Sequence, residues 1–381
     1  MPSAFVLYFF SEAYESRLAL RGSSPSASLF EKGLNMKKLI FATIAAGVLA
    51  TSAAIAADMV TKAPPMMPAP ASPWDLAFGG GLTSDYIFRG ITQSDHKPSV
   101  TAYFEPRYNF NKDLQGYIGI SGESIDFPNR AAAEIDIYGG IRPTFDKLAL
   151  DFGFWEYWYP GGQCFNGDTV QNFGFDCQAN GYLPVNGNVT KSNLSFWEVY
   201  GKGTYTFNDQ FAAGFSVYYS PSVLNSGAHG TYIEGNAKYT FPTTVQLPWG
   251  LGLYISGALG HWYLGTTDQF YCTQVGVVES LGCLAPFPSG APSPYPFGIP
   301  YKSYTTWNVG FAFTKSVFTL DFRWYDTDLN KGDCNAFTSD HTAVFTGSFT
   351  AINPGGFGST WCGSTFVVTG KFDLTAMMNL K

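Results

Sequence analysis

The chain has 381 residues, a net charge of −7, 13% charged residues and 17% aromatics, including 34 Phe, 23 Tyr and 9 Trp. So little charge excludes an ordinary soluble globule, in which charged residues make up about 25%, and so many aromatics exclude a disordered chain. No Lys/Arg stripe accompanies the mild acidity, which excludes a nucleic-acid partner; what remains is an amphiphile with one face toward lipid and one toward water.

Residues 1–35 precede a signal-like segment, have no role in front of it, and are read as an over-long gene start. Met36-Lys37-Lys38 is a short positive region, Leu39 to Ala50 an apolar core, and Ala54-Ile55-Ala56 a small-residue cleavage site. Residues 36–56 therefore predict a secretory signal peptide cut after Ala56. Its apolar core is too short to span a bilayer. Residues 57–73 carry Pro64, Pro65, Pro68, Pro70 and Pro73 and predict a semi-extended periplasmic tether. No apolar run of about 18 residues follows. A chain of this kind crosses a membrane only as a closed barrel, because lipid offers unpaired strands no hydrogen bonds.

From Trp74 the apolar residues alternate with period two. Phe318, Leu320, Phe322 and Trp324 share one face, with Thr319, Asp321 and Arg323 on the other. Ile135, Ile137 and Ile141 oppose Glu134, Asp136 and Arg142. Leu148, Leu150, Phe152 and Phe154 oppose Asp151. Ile233, Ala237, Tyr239 and Phe241 oppose Glu234, Asn236 and Lys238. Phe366, Val368, Phe372 and Leu374 oppose Thr369, Lys371 and Asp373. Twelve such segments fall at 74–88, 98–110, 115–126, 134–145, 148–160, 194–207, 211–221, 229–241, 249–263, 302–314, 316–327 and 364–375. Each reaches the ~9–11 residues that a tilted strand needs. The predicted fold is all-β: a transmembrane antiparallel β-barrel of about twelve strands over residues 74–375, with a tail at 376–381.

The connections alternate in length. Short ones follow at Asn111–Leu114, Asp146-Lys147, Asn208-Asp209, Pro242–Pro248 and Lys315. Longer ones occupy Gly90–Lys97, Phe127–Ala133, Gly161–Asn193, Ser222–Ala228, Leu264–Tyr301 and Asp328–Gly363. Short periplasmic turns and long outer loops mark outer-membrane barrels. Aromatics crowd the strand ends, with Trp155, Tyr157, Trp158, Tyr159, Trp262, Tyr263, Trp324 and Tyr325 at one boundary. Phe110, Phe207, Phe211, Phe241 and Trp249 lie at the other. Two lipid-facing girdles are expected there.

Six cysteines fall in pairs within the three longest loops: Cys164 with Cys177, Cys272 with Cys283, and Cys334 with Cys362. Pairing within loops is the simplest of the 15 connectivities that six cysteines allow. No C-x-x-C or His at ligand spacing suggests a metal site. Asp326-Thr327-Asp328-Leu329-Asn330 starts like a calcium loop but fails at Lys331 and Phe337, and reads as a solvated strand exit. His96, His229 and His341 lie in or beside loops, and His261 is in phase with Leu253, Ile255 and Leu259. No G-x-S-x-G elbow is present. Neither enzyme activity nor a cofactor is expected.

Alternation assigns to the lumen Asp85, Arg89, Glu105, Arg107, Glu123, Glu134, Asp136, Arg142, Asp151, Glu198, Lys202, Glu234, Lys238, Asp321, Arg323, Lys371 and Asp373. A basic side chain facing lipid at mid-depth costs ~2–4 kcal/mol, which leaves the interior as their place. Twelve strands lie between filled eight-stranded barrels and open porins, so a narrow charge-lined path is expected, with room for a folded-in loop to constrict it.

Ser84-Asp85-Tyr86-Ile87-Phe88-Arg89-Gly90-Ile91-Thr92-Gln93-Ser94 resembles the TorF-type porins of proteobacteria, also called the Gcw_chp family. The similarity continues through Glu105-Pro106, the Ile135–Gly140 strand, Tyr325–Asp328 and the Cys334/Cys362 pair. It covers roughly 74–375, and its first motif is the specific one. The resemblance implies an outer-membrane barrel with a transport role. Such barrels tend to end on an aromatic that the barrel-assembly machinery reads, whereas this chain ends Met377-Met378-Asn379-Leu380-Lys381. The expected partners are outer-membrane lipid, that machinery and small hydrophilic solutes. The expected function is a porin-like channel. Ten acidic against seven basic lumen candidates predict weak cation preference. The rivals are a structural or adhesive barrel using its disulfide-closed outer loops, and a barrel hydrolase.

Overall fold

The computed structural model describes residues 72–163, 188, 190–272 and 298–379. Residues 1–71, where the gene-start segment, signal peptide and most of the tether are expected, lie outside the described residues.

In chain order the strands are β1 (Trp74–Thr83), β2 (Ile87–Phe88), β3 (Ile91–Thr92), β4 (Ser99–Asn111), β5 (Leu114–Ser124) and β6 (Ala133–Phe145). There follow β7 (Leu148–Trp158), β8 (Phe196–Thr206), β9 (Phe211–Ser220), β10 (Gly230–Thr240) and β11 (Gly252–Leu264). The last five are β12 (Tyr304–Lys315), β13 (Phe318–Thr327), β14 (Val344–Phe345), β15 (Phe357–Gly358) and β16 (Thr365–Thr375). Twelve of them form one closed barrel, β1-β16-β13-β12-β11-β10-β9-β8-β7-β6-β5-β4. Every barrel pairing is antiparallel, and β1 closes the ring by pairing with both β4 and β16. Closure leaves no sheet edge unpaired, as lipid requires.

The period-two pattern decides which face is which. Ile118, Ile137, Phe152, Leu259, Val309, Phe318 and Phe366 point outward and are exposed. Their strand neighbours Tyr117, Asp136, Tyr138, Ala258, Arg323 and Val367 point inward and are buried. A continuous apolar outer belt of this size is stable only in a membrane. The molecule is a transmembrane barrel of the bacterial outer-membrane kind.

On one rim the connections between consecutive strands are short, down to Asp146-Lys147 and Ser316-Val317. Asp146 (φ 54°) and Ser316 (φ 55°) take left-handed backbone there, as tight hairpins demand. The longest connection on this rim is 241–251, whereas 84–98, 159–195, 265–303 and 328–364 all leave from the other rim.

Several sequence expectations need correcting. The first strand ends at Thr83 instead of residue 88, because the chain then folds inward as the β2/β3 hairpin. The outer girdle is only half lipid-facing. Trp158, Tyr263 and Trp324 point out, whereas Tyr157 and Trp262 are buried inside; strict alternation puts adjacent aromatics on opposite faces. The 328–363 loop is structured and contains a helix, Lys331–Thr338, capped by the Asn330 side chain accepting from Asp333 N. Asn330 therefore serves as a helix cap, within what reads as a solvated strand exit. Cys334 is joined to Cys362. The Cys164–Cys177 and Cys272–Cys283 pairings fall outside the described residues, as Cys164, Cys177 and Cys283 do. The tail begins as a short helix, Ala376–Asn379, whose Met377 N–H donates to Asp75 Oδ1 at 3.0 Å.

Candidate functional site

The site is built by residues 84–98, which connect β1 to β4. Arg89 (φ 48°) and Gly90 (φ 79°) form the two-residue turn between β2 and β3. Left-handed backbone at both positions matches the twist of a tight hairpin. Arg89 stands where Asn or Gly would be usual, so its strained backbone places a charge at the hairpin tip.

That tip reaches across the lumen. Arg89 donates to Glu198 on β8, Nη1 to Oε1 at 2.8 Å and Nη2 to Oε2 at 2.7 Å. Its guanidinium carbon lies 4.4–5.0 Å from the ring centres of Phe88, Tyr218, Tyr232 and Trp262. Both charged side chains are almost fully buried, at 2% and 1% exposure. A buried pair of this sort persists only with near-ideal geometry and further hydrogen bonds. Glu198 gains one more from Tyr157 Oη at 3.2 Å.

The rest of the hairpin is fastened to other strands. Tyr304 of β12 donates its hydroxyl to Arg89 O at 2.9 Å. Tyr86 donates to Glu134 of β6 at 2.7 Å. A methyl group on Gly90 would meet Thr327 Cγ2 at 2.3 Å and Thr306 Oγ1 at 2.5 Å, so the tip lies flush against β12 and β13. Asp85 organises the base, accepting from Thr92 Oγ1 at 2.5 Å and Ser94 Oγ at 3.0 Å. His96 Nδ1 lies 2.7 Å from Asp85 Oδ2, and its Nε2 lies 2.9 Å from Thr360 O. The hydrogen bond to Asp85, opposed by partial burial, pushes the imidazole up to about 9. The ring is then protonated at neutral pH and donates from both nitrogens. Ser94, Asp85 and His96 do not form a hydrolytic triad, because the carboxylate sits between hydroxyl and imidazole.

The outer loop 328–363 locks onto the same hairpin. Thr92 N donates to Trp361 O at 3.0 Å, Ile91 bridges to Cys362, and Trp361 Nε1 donates to Asp95 Oδ1 at 2.9 Å. The Cys334–Cys362 bond ties this clamp to the helix Lys331–Thr338.

Asp85 and Arg89 thus sit on the hairpin and not on the wall. The other fifteen lumen candidates lie on barrel strands in the inward phase. The structure brings many of them together. Arg142 Nη1 and Nη2 lie 2.7 and 3.1 Å from the two Glu105 oxygens, and its Nε lies 3.3 Å from Asp151 Oδ2. Arg107 Nε adds a 2.5 Å contact to Glu105. Arg323 reaches Asp321 (2.9 Å), Asn308 (2.7 Å) and Ser256 (2.8 Å). Lys371 pairs with Asp373 at 3.0 Å, and Lys202 and Lys238 lie over the rings of Tyr200 and Tyr254. Glu234 accepts from Tyr232 Oη at 2.8 Å.

Glu123, Glu134 and Asp136 place carboxylate oxygens within 4.8 Å of one another, all buried. Such oxygens are the donor type for a hard divalent cation. Ser121 donates to Asp136 Oδ2 at 2.9 Å.

Sequence reasoning missed the inward tyrosines. Tyr103, Tyr117, Tyr138 and Tyr200 each face a glycine directly across the ladder, namely Gly79, Gly140, Gly119 and Gly153. A methyl group on any of these glycines would overlap the facing tyrosine side chain. The glycines let the rings lie flat against the wall. Phase relative to the apolar face was the available signal, and the aromatic content masked it.

The Gcw_chp profile, described as a bacterial protein of unknown function, matches residues 68–260, just over half of the chain. This chain is a member of the Gcw_chp family. No curated protein matches it. Among solved structures, this Gcw_chp barrel is similar to an outer-membrane channel from Pseudomonas putida F1, with 11% identity, 79% and 94% of the two chains covered, and a TM-score of 0.31. It is also similar to the NanC porin (6%, 79% and 100%, TM-score 0.33). A third is Salmonella typhi OmpF in complex with daunomycin (8%, 79% and 96%, TM-score 0.29). Likenesses this distant carry no functional argument; the reading below rests on the barrel itself.

Proposed function

We propose that this Gcw_chp protein is a porin-like outer-membrane channel for passive passage of small hydrophilic solutes, held shut at rest by its luminal hairpin. The observation that carries this is the inward face: charged and hydroxyl side chains from strands all round the barrel, meeting a hairpin clasped by Arg89 and Glu198. An ion-paired wall alone would suit a filled structural barrel. A separate hairpin with a charged tip suits a path that opens, because removing one small element frees the lumen.

Weak cation preference is part of the proposal. Its support is the gathering of Glu123, Glu134 and Asp136, while most basic candidates on the wall already face a carboxylate or an aromatic ring. The test is planar-bilayer recording of the purified protein and of Arg89→Ala. Discrete current steps, more frequent in the variant and with a reversal potential favouring potassium, are expected. Silence from both proteins would remove the channel reading and leave the adhesive barrel. A reversal potential favouring chloride would remove only the cation preference.

A further inference from the structure

The long-loop rim holds a pocket beside the Arg89 clasp, with which it shares the rings of Phe88 and Trp262. It is partly open to solvent, and its cavity volume is about 40 Å³. Two hydrophobic clusters flank it. One is centred on Trp262, Tyr301 and Phe337, the other on Phe127, Tyr159 and Phe196; Phe88 and Leu224 pack against both. The pocket lies between these clusters, with Phe88 and Leu224 bridging them. Protein interiors are normally close-packed, and unfilled apolar space lowers stability in proportion to its volume.

The lining defines the chemistry of an occupant. Of its seventeen side chains nine are aromatic, and none carries a formal charge. Gln93, Thr190, Thr338 and Ser339 are the polar ones, all neutral. A charged molecule would lose its hydration there with no counter-charge to replace it. Flat rings fit the walls, where Trp262 and Tyr301 present edge-to-face geometry to Phe337 at 5.6 and 4.9 Å.

The backbone gives an independent sign. Leu224 (φ 49°) lines the pocket and lies in the left-handed region. A branched apolar residue seldom adopts that conformation, and such strain persists chiefly at ligand clamps and switches.

We propose that this pocket binds a compact, uncharged, ring-bearing molecule with one hydrogen-bonding edge. The ligand seats on Phe88, the residue before Arg89, and so touches the hairpin that closes the lumen. The site is separate from the hydrophilic path, and its test does not read conductance.

The full-length protein in lipid nanodiscs is photolysed with the uncharged label trifluoromethyl phenyldiazirine, with and without excess unlabelled benzyl alcohol. Insertion sites are mapped by mass spectrometry. Saturable, competed labelling at Leu224 or within Phe337–Ser339 is expected. The pocket-filling variant Leu224→Trp should lower it about tenfold, which corresponds to a modest loss of binding energy, while labelling of the lipid-facing Phe152 and Phe154 stays unchanged. Thr338→Phe fills the same space from the helix and is used if Leu224→Trp loses the heat-modifiable migration of a folded barrel. Labelling confined to the lipid belt, or pocket labelling that survives both filling variants, overturns the proposal.

Discussion

Arg89 at the hairpin tip and Glu198 on β8 form a two-point ion pair across the lumen, at 2.8 and 2.7 Å, with almost no solvent access. Neither residue is interpretable alone. Removing the arginine strands a carboxylate among aromatic rings, and breaking one side of a buried pair costs about 3–5 kcal/mol. Arg89→Ala should therefore destabilise the folded barrel by that order in denaturant titration and raise open probability in bilayers. Arg89→Ala/Glu198→Gln should recover part of the stability but stay open. A double variant that closes again would show that the clasp does not hold the hairpin.

Gly90 tests the fit without touching charge. Its left-handed φ and the overlap that an added methyl group would make with the Thr327 side chain leave no room for a side chain. Gly90→Val should expel the tip while the twelve-stranded wall persists. The expected result is native heat-modifiable migration with faster proteolysis at 84–98. Unchanged proteolysis would mean that the tip tolerates the bulk.

His96 makes the fastening pH-dependent. Its folded pKa is raised to about 9, by Asp85 first. Protonation thus favours the folded clasp. The contribution is fully present below the free imidazole value of about 6.5 and fades as pH rises through about 9. The side chain is 39% exposed, so solvent screening keeps the effect small. Hydrogen exchange of 84–98 should accelerate between neutral pH and about pH 10 beyond the intrinsic base-catalysed rise, and His96→Gln should remove that excess.

The Cys334–Cys362 bond spans 28 residues of the loop that clamps the hairpin. Closing a loop of this length is worth roughly 2–4 kcal/mol to the ordered state. Cys334→Ser should raise protease sensitivity across 328–363 and increase channel opening, with no change in barrel strand content by circular dichroism. An unaltered digestion pattern would show that the helix Lys331–Thr338 holds the loop by packing alone.

The sequence by itself determined the wall. Ile135, Ile137 and Ile141 against Glu134, Asp136 and Arg142 encode both the strand and its two solvents, because period two is a local property of the extended chain. The same locality fixed the strand number and the side on which the long loops lie, since turn length and alternation need no knowledge of distant contacts. It failed at Asp85 and Arg89, where the alternating phase ran on past Thr83 into the hairpin. Nothing in Phe88-Arg89-Gly90-Ile91 announces which way a loop will fold; that direction depends on Glu198, Tyr304 and Thr327, which lie 109, 215 and 237 positions beyond their partners. Only closure of the barrel brings β8, β12 and β13 around one lumen. The tertiary structure therefore decided what stands inside the channel, because a plug is held by contacts between residues that local pattern cannot relate.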